Sequence, residues 1–150
     1  MRLLTIITLF LFTGISLKAQ QAQKQDNQVA DKKGTASFYH DKFEGRLTAT
    51  GEVFDNEEFT AASNKVKLGT YVRVTNMNNG KVVYVRINDR MAANNPRMID
   101  LASIAAEKLE FKDKGLAKVK MEIVPAEEGK NKILAQRLDG DPAPANKNEL

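Results

Sequence analysis

The chain of 150 residues contains no cysteine, no tryptophan and one histidine. Without cysteine there is no disulfide bond and no thiolate ligand for a metal, and lipid attachment through an N-terminal cysteine is excluded. The single histidine, His40, cannot form a metal site with no cysteine beside it, so we expect neither a metal nor another cofactor. The folded part must therefore be stabilised by its hydrophobic core alone.

Runs of one charge are also absent. Lysine and arginine (23) are interspersed with aspartate and glutamate (19), and the formal net charge is +4. Because no arginine-rich run and no basic stripe interleaved with aromatics occurs, we do not expect nucleic acid as a partner. There is no internal repeat, and 42% of the residues are hydrophobic. The chain can bury one modest core, and we expect one domain and a monomer.

A long apolar run occurs only near the N-terminus, at residues 3–12, directly after Arg2. The run is too short to span a bilayer comfortably, and a polar stretch follows it. These features indicate an export signal cleaved after Ala19, with a retained membrane anchor as the alternative. We therefore expect an exported protein of the periplasm or cell envelope, without a stable membrane span after cleavage.

Polar composition marks both flanks of the folded part. Residues 20–33 are rich in Gln, Asp, Asn and Lys and offer almost nothing to bury, which is typical of a flexible linker. Residues 125–150 carry three prolines among charged residues, which predicts a frayed polar tail. The folded domain is then expected at residues 34–124.

Strand patterns dominate that domain. Apolar and polar residues alternate at 71–76 and 81–87, and the Asn-Asn-Gly sequence at 78–80 between them predicts a hairpin turn. Residues 118–123 alternate as a closing strand, and residues 35–39 form an opening one. One stretch, residues 101–109, predicts a helix, with Asp100 placed to cap it. Short strands and a single helix favour a small, mostly β barrel.

Three segments hold polar residues that a scaffold does not need: GRLTATGE at 45–52, FTAAS at 59–63 and NDR at 88–90. Together with GTASFY at 34–39, they resemble the rare lipoprotein A family. The match continues in order through further segments. These are Gly69-Thr70, VTN at 74–76, Asn79-Gly80, VRI at 85–87, Arg97 and IDL at 99–101.

The resemblance implies a six-stranded double-psi β-barrel. In active members of the family it also implies lytic transglycosylase activity on peptidoglycan glycan strands stripped of their stem peptides. Such an enzyme lets the 6-hydroxyl of the sugar attack its own anomeric carbon, which leaves a 1,6-anhydro product. The same barrel occurs in expansins, barwin-like proteins and some endoglucanases, so the fold alone does not determine the reaction.

Residue by residue, the resemblance assigns the acid/base role to Asp89 and a partner role in the cleft to Glu52. Cleavage of a glycosidic bond needs a proton on the departing oxygen, which a carboxyl group can supply. Taken alone, Asp89 is also typical of a turn residue paired with Arg90, and Glu52 of an exposed loop acid.

Further residues are candidates for substrate contact: Ser63, Arg90, Arg86, Tyr39 and Thr60. For Arg86, Arg90 and Arg97, structural ion pairs with Asp100 or Glu52 are an equal alternative. Either Phe38 or Tyr39 could stack on a sugar ring, and we expect at least one of them to pack inside the core.

The sequence departs from the family at two points. Ser63 occupies the position of the histidine that active members carry, and a hydroxyl cannot hold a positive charge or shuttle protons as imidazole does. His40 is either a substitute that reaches the cleft or, by default, a surface loop residue. Residues 91–95 replace a segment where the family favours glycine and proline.

Three functions remain open. The first is a lytic transglycosylase, and the second is a non-catalytic peptidoglycan-binding or expansin-like wall protein, suggested by Ser63. The third is an inverting hydrolase, which needs a second acid across a water-sized gap from Asp89.

Overall fold

The computed structural model describes residues 31–140, so the predicted export signal, residues 20–30 of the linker and the last ten residues lie outside it. The described part contains six strands, two α-helices and two short 3-10 turns. They are β1 (Lys32–Phe38), a turn at Asp41–Phe43, β2 (Thr60–Ala62), β3 (Tyr71–Asn76), β4 (Val82–Asp89), β5 (Ile99–Leu101), α1 (Ser103–Lys108), a turn at Lys112–Lys114, β6 (Ala117–Val124) and α2 (Ala126–Gly140).

The six strands close into a barrel in the order β1-β5-β2-β4-β3-β6. Two neighbouring pairs, β1 with β5 and β2 with β4, run parallel, and the other pairs are antiparallel. Closure leaves no free sheet edge along the paired segments. The prediction of a mostly β, six-stranded barrel is confirmed.

The barrel core follows the alternation that the sequence shows. Val72 and Val74 of β3 and Val83 and Val85 of β4 are fully buried, while the residues between them are half-buried. Each such side chain contributes about 1.5–3 kcal/mol of hydrophobic stabilisation. The predicted turn joins the two strands, and Gly80 adopts a φ of 75° there, which a side chain would oppose.

Helix α1 is shorter than predicted, and its cap was assigned wrongly. Asp100 lies in β5, and its carboxylate binds the side chain of Arg97 at 2.7 and 2.8 Å. The cap comes from Asn56, whose Oδ1 accepts a hydrogen bond of 3.0 Å from the backbone N–H of Ser103. The residue that caps this helix therefore lies 47 positions before Ser103 in the chain.

The prediction of a frayed tail after Pro125 is wrong for residues 126–140, which form α2. The helix begins directly after the proline and carries two glutamates in its first turn, an arrangement that favours a helix N-terminus. Gly129 packs so closely on Tyr71 that a Cβ at this position would lie 2.4 Å from the tyrosine side chain.

Two further residues of α2 anchor it to the barrel. Ile133 is buried against the core, and the side-chain amide of Gln136 bonds both backbone groups of Tyr84 in β4. Those two bonds measure 2.7 and 2.9 Å. The short strand β2 pairs with β4 only from Arg86 onward, so Gln136 satisfies a part of β4 that β2 does not reach. Across residues 31–140, no helix combines the length and apolar character needed to cross a membrane.

Candidate functional site

A β-bulge at the end of β4 brings Asp89 to the surface. Alternate residues of β4 up to Ile87 point into the core. Ala61 of β2 pairs with Ile87, but Ala62 pairs with Asp89, so Asn88 is an extra residue. Without the bulge, Asp89 would share the inward orientation of Ile87. With it, Asn88 is buried and Asp89 is half-buried at the wall of a cleft.

Three hydrogen-bond donors hold the Asp89 carboxylate. The hydroxyl of Tyr39 donates to Oδ2 at 2.7 Å. The backbone N–H groups of Ala49 and Arg90 donate to Oδ1 at 2.9 and 2.8 Å. The carboxylate is the acceptor in all three bonds. Because both of its oxygens accept, the bonds fix its position and its orientation.

The Ala49 donor is presented by a hairpin formed by residues 45–54. Within it the Thr48 N–H donates to the Glu52 carbonyl at 2.8 Å, and Gly51 takes a φ of 83° at the turn. The Thr50 N–H crosses to the carbonyl of Asn88 at 3.2 Å. The hairpin is thus attached to the bulge itself, next to Asp89.

Glu52 is bound to Arg86 of β4 by a bidentate ion pair with distances of 2.5 and 3.0 Å. The Thr50 hydroxyl also donates to this carboxylate. The Arg86 hydrogen bonds, followed by that of Thr50, lower the pKa of Glu52 to about 2. Glu52 therefore stays ionised near neutral pH, and the ion-pair alternative for Arg86 is the one observed.

The cleft beside Asp89 has a volume of about 450 Å³. One wall is aromatic, and the opposite wall is the segment that follows β4. The lining residues are Tyr39, Phe43, Arg46, Leu47, Phe54, Asp89, Arg90, Met91, Ala92, Asn95 and Asp100. Cations and apolar side chains thus surround one carboxylate that is not in an ion pair, since Asp100 is held by Arg97.

The Tyr39 ring belongs to the aromatic wall. Its centroid lies 4.3 Å from that of Phe54 and 5.7 Å from that of Phe43. Burial, followed by the bond to Asp89, raises the pKa of Tyr39 well above its ordinary value of 10.0. The hydroxyl therefore stays protonated and acts as a donor. The neighbouring Phe38 is half-buried and packs on Phe111 of the core, so neither ring of the pair lies fully inside the barrel.

Ser63 does not reach the cleft. Its side chain is fully buried, and the hydroxyl donates to the Met98 carbonyl at 2.9 Å and accepts from the Lys65 N–H at 3.1 Å. This contradicts the prediction that the Ser63 side chain contacts a substrate. Its backbone supports the site, because the Ser63 N–H donates to the Asp89 carbonyl and the Ser63 carbonyl accepts from the Arg90 guanidinium.

The other predicted contacts separate into two groups. Arg90 lines the cleft with Asp89, whereas Thr60 and Arg86 line a separate cavity of about 220 Å³ beside α2. His40 is exposed and outside the cleft lining, and its Nδ1 accepts from the Lys42 N–H at 3.1 Å. The default interpretation of His40 as a surface loop residue therefore fits the structure.

Several cleft residues were not predicted from the sequence. Ala49 contributes only a backbone N–H, which leaves no signal in residue type. Phe43 and Phe54 flank the recognised polar segment at 45–52 and Arg46 lies within it, so their clustering was a usable signal. The guanidinium of Arg46 lies 5.2 Å from the centre of the Phe43 ring, which places this cation at the mouth of the cleft.

Comparison with known proteins gives a family match over the barrel. A family model described as lytic transglycolase matches residues 31–121. Relatives include the endolytic peptidoglycan transglycosylase RlpA of Neisseria meningitidis serogroup B, 48% identical over 67% of this chain and 44% of the relative. The RlpA of Pseudomonas aeruginosa is 51% identical over 59% of this chain and 26% of the relative. The chain thus spans less than half the length of these curated relatives.

Solved structures show the same fold at low identity. A Streptomyces papain inhibitor superposes with a TM-score of 0.53 and 23% identity, covering 65% of this chain and 96% of the inhibitor. A Clavibacter michiganensis expansin in complex with cellohexaose gives 0.52 and 16%, covering 64% and 51%. These likenesses concern the fold, and together with the family match they bear out the double-psi β-barrel.

Proposed function

Since the chain belongs to the lytic transglycolase family, we propose that it cleaves peptidoglycan as an endolytic transglycosylase. The bonds cleaved are those between N-acetylmuramic acid and N-acetylglucosamine in glycan strands that lack stem peptides. The observation that carries this proposal is the Asp89 carboxylate, which lines the cleft and forms no ion pair within residues 31–140. Glu52 and Asp100 are each bound by an arginine, so in this part of the chain Asp89 is the carboxyl group that supports proton transfer.

One carboxyl group is sufficient for this reaction. Asp89 in its acid form gives its proton to the bridging oxygen, and the bond from that oxygen to the anomeric carbon breaks. The 6-hydroxyl oxygen of the same muramic acid bonds to the anomeric carbon, and its proton passes to Asp89. The acid is regenerated, no water is consumed, and the product carries a 1,6-anhydro ring.

The remaining cleft residues suit a sugar chain. Arg90 and Arg46 place positive charge beside Asp89, and Leu47 exposes 74% of its surface at the rim, where an apolar sugar face can rest. Since peptidoglycan lies outside the cytoplasmic membrane, we propose export to the periplasm or cell envelope. Glu52 supports the site as an ionised anchor of the hairpin.

Incubation of residues 20–150 with peptide-free glycan strands tests the activity. Mass spectrometry is expected to detect 1,6-anhydro ends, and Asp89→Asn is expected to lower their release by at least about 100-fold, because it removes the acid/base. The matched control is Asp113→Asn, an exposed acid that does not line the cleft, which should leave release unchanged. Wild-type protein that releases no such product at any pH between about 5 and 8 refutes the proposal.

A second candidate is a non-catalytic, expansin-like wall-binding protein. The observation that favours it is that Ser63, which occupies the position of the family histidine, is buried. Within residues 31–140, no histidine lines the cleft. This candidate predicts that the protein pellets with purified sacculi and releases no sugar. An inverting hydrolase is disfavoured because Arg86 binds Glu52, and products with reducing ends would reveal it.

A further inference from the structure

The two oxygens of the Asp89 carboxylate have unequal surroundings. Oδ1 accepts two backbone bonds, from Ala49 at 2.9 Å and from Arg90 at 2.8 Å. Oδ2 accepts one bond, from the Tyr39 hydroxyl at 2.7 Å. Since a carboxylate oxygen offers two lone-pair sites, both sites of Oδ1 are occupied and one site of Oδ2 is free.

We infer that Oδ2 is the oxygen of Asp89 that carries the transferred proton, and that Tyr39 is the positioning residue that orients it. A proton on Oδ1 would displace one of two backbone donors, and neither can turn away freely. The Ala49 donor sits in a hairpin attached to the bulge, and the Arg90 donor is the next residue of the chain. The inference rests on the proposed function, in which Asp89 is acid and then base.

Both the backbone and the ring of Tyr39 are held by neighbouring groups. Its backbone N–H donates to the Leu101 carbonyl at 2.9 Å, directly after β1 ends. Its ring packs against Phe54, with centroids 4.3 Å apart, and makes an edge contact with Phe43 at 5.7 Å. These contacts hold the ring, and the role inferred for Tyr39 acts through its hydroxyl.

In this inference, Oδ2 of Asp89 is the protein atom that gives and then receives the transferred proton. The proton on Oδ2 passes to the bridging oxygen as the glycosidic bond breaks, and the proton of the attacking 6-hydroxyl returns to Oδ2. Tyr39 keeps its own proton throughout. The charged and titratable groups around this carboxyl are Tyr39, Arg46, Arg90, Asp100 with its partner Arg97, and Glu52 with its partner Arg86.

The test is Tyr39→Phe, which keeps the ring and removes the donor. The Asp89 carboxyl carbon, followed by NMR across pH, is expected to respond at higher pH in this variant than in wild type, because a bond to the ionised form is lost. On glycan strands, kcat should fall about 10-fold with KM unchanged. The basic limb of the pH profile should move to higher pH, since the acid stays protonated longer.

Tyr84→Phe is the matched control, because Tyr84 lies under α2 and away from the cleft. It should change neither the titration nor kcat. If Tyr39→Phe does not fold, fluorotyrosine in place of tyrosine keeps the packing and donates more strongly. The Asp89 titration should then move to lower pH.

The two failures are distinguishable. An Asp89 titration that is the same in wild type, Tyr39→Phe and fluorotyrosine protein overturns the role of Tyr39, whether or not the protein is active. A raised KM with an unchanged kcat also overturns it, since it indicates a sugar contact. Wild-type protein that releases no 1,6-anhydro product refutes the proposed function instead, while the NMR titration still decides whether Tyr39 orients Asp89.

Discussion

Two residues of β4, Tyr84 and Asp89, obtain their hydrogen-bond partners in opposite ways. At Tyr84, free backbone groups are satisfied by a side chain, the amide of Gln136 from α2. At Asp89, a free side chain is satisfied mainly by backbone groups, those of Ala49 and Arg90. The first arrangement covers the strand, and the second leaves the carboxylate at the wall of an open cleft.

The difference separates stability from chemistry. Helix α2 packs on the barrel through Gly129, Ile133 and Gln136, so changes there should alter the free energy of unfolding with little effect on turnover. The cleft is polar and partly exposed, so changes there should alter turnover with little effect on stability. Two substitutions in α2 test the stability side of this separation, and a third, at Glu52, tests how the hairpin at 45–54 is attached to β4.

The largest expected effect is at Gly129. In Gly129→Ala the added Cβ meets Tyr71 at 2.4 Å, so the helix must shift, and the free energy of unfolding should fall by about 1–3 kcal/mol. Urea denaturation measures the loss, and kcat should match wild type well below the melting temperature. Gly140→Ala, in the same helix with open space around it, is the control and should stay within about 0.5 kcal/mol of wild type. Equal losses in both variants contradict the packing of α2 described above.

A smaller loss is expected for Gln136→Ala, which removes two bonds and leaves the N–H and C=O of Tyr84 without their partner. The free energy of unfolding should fall by about 1–2 kcal/mol. Faster hydrogen exchange at the Tyr84 amide locates the effect. Asn131→Ala, exposed on the same helix, should show neither change. A Tyr84 amide that stays equally protected argues against the anchoring role of Gln136.

The smallest effect concerns Glu52 and depends on pH. Arg86 lowers the pKa of Glu52 from the ordinary 4.5 to about 2, so the pair stabilises the folded state fully above pH 4.5 and loses this contribution as the pH falls toward 2. Glu52→Gln should therefore be less stable than wild type at pH 6, by a small margin because the pair is partly exposed.

Urea denaturation from pH 6 down to 2 measures this difference, which should shrink across the lower part of the range. Glu57→Gln, an exposed loop acid, should show no such trend. A difference that grows toward acid has the wrong sign for a lowered pKa and rules out the ion pair as its source.

The long strands and the turn between β3 and β4 were predictable because their alternation extends over six or more residues. Strands β2 and β5 were not located, since three residues show no period and their pairing depends on distant partners. Helix α2 was missed because the residues it buries, Gly129, Ile133 and Gln136, include only one large apolar side chain. The i, i+4, i+7 spacing of these three residues and the proline before the helix were nevertheless a helix signal.

The candidate site was predictable in part. Asp89 and Arg90 came from the family resemblance, and the structure places them with Tyr39 in one cleft. The burial of Ser63 was not predictable, because it follows from how β2 packs on the chain near Met98. The cap by Asn56 was not predictable either, because helix signals in a sequence are local and this contact spans 47 residues.

The bulge at Asn88 makes the orientation of Asp89 depend on a count of residues as well as on their type. Exchanging one side chain for another in this segment leaves the count intact, whereas losing one residue restores simple alternation and turns the carboxylate toward the apolar interior. Length variation at the end of β4 is therefore the change that this site tolerates least. The lengths of the segments at both ends of the hairpin at 45–54 are under the same constraint, because Ala49 must meet that carboxylate.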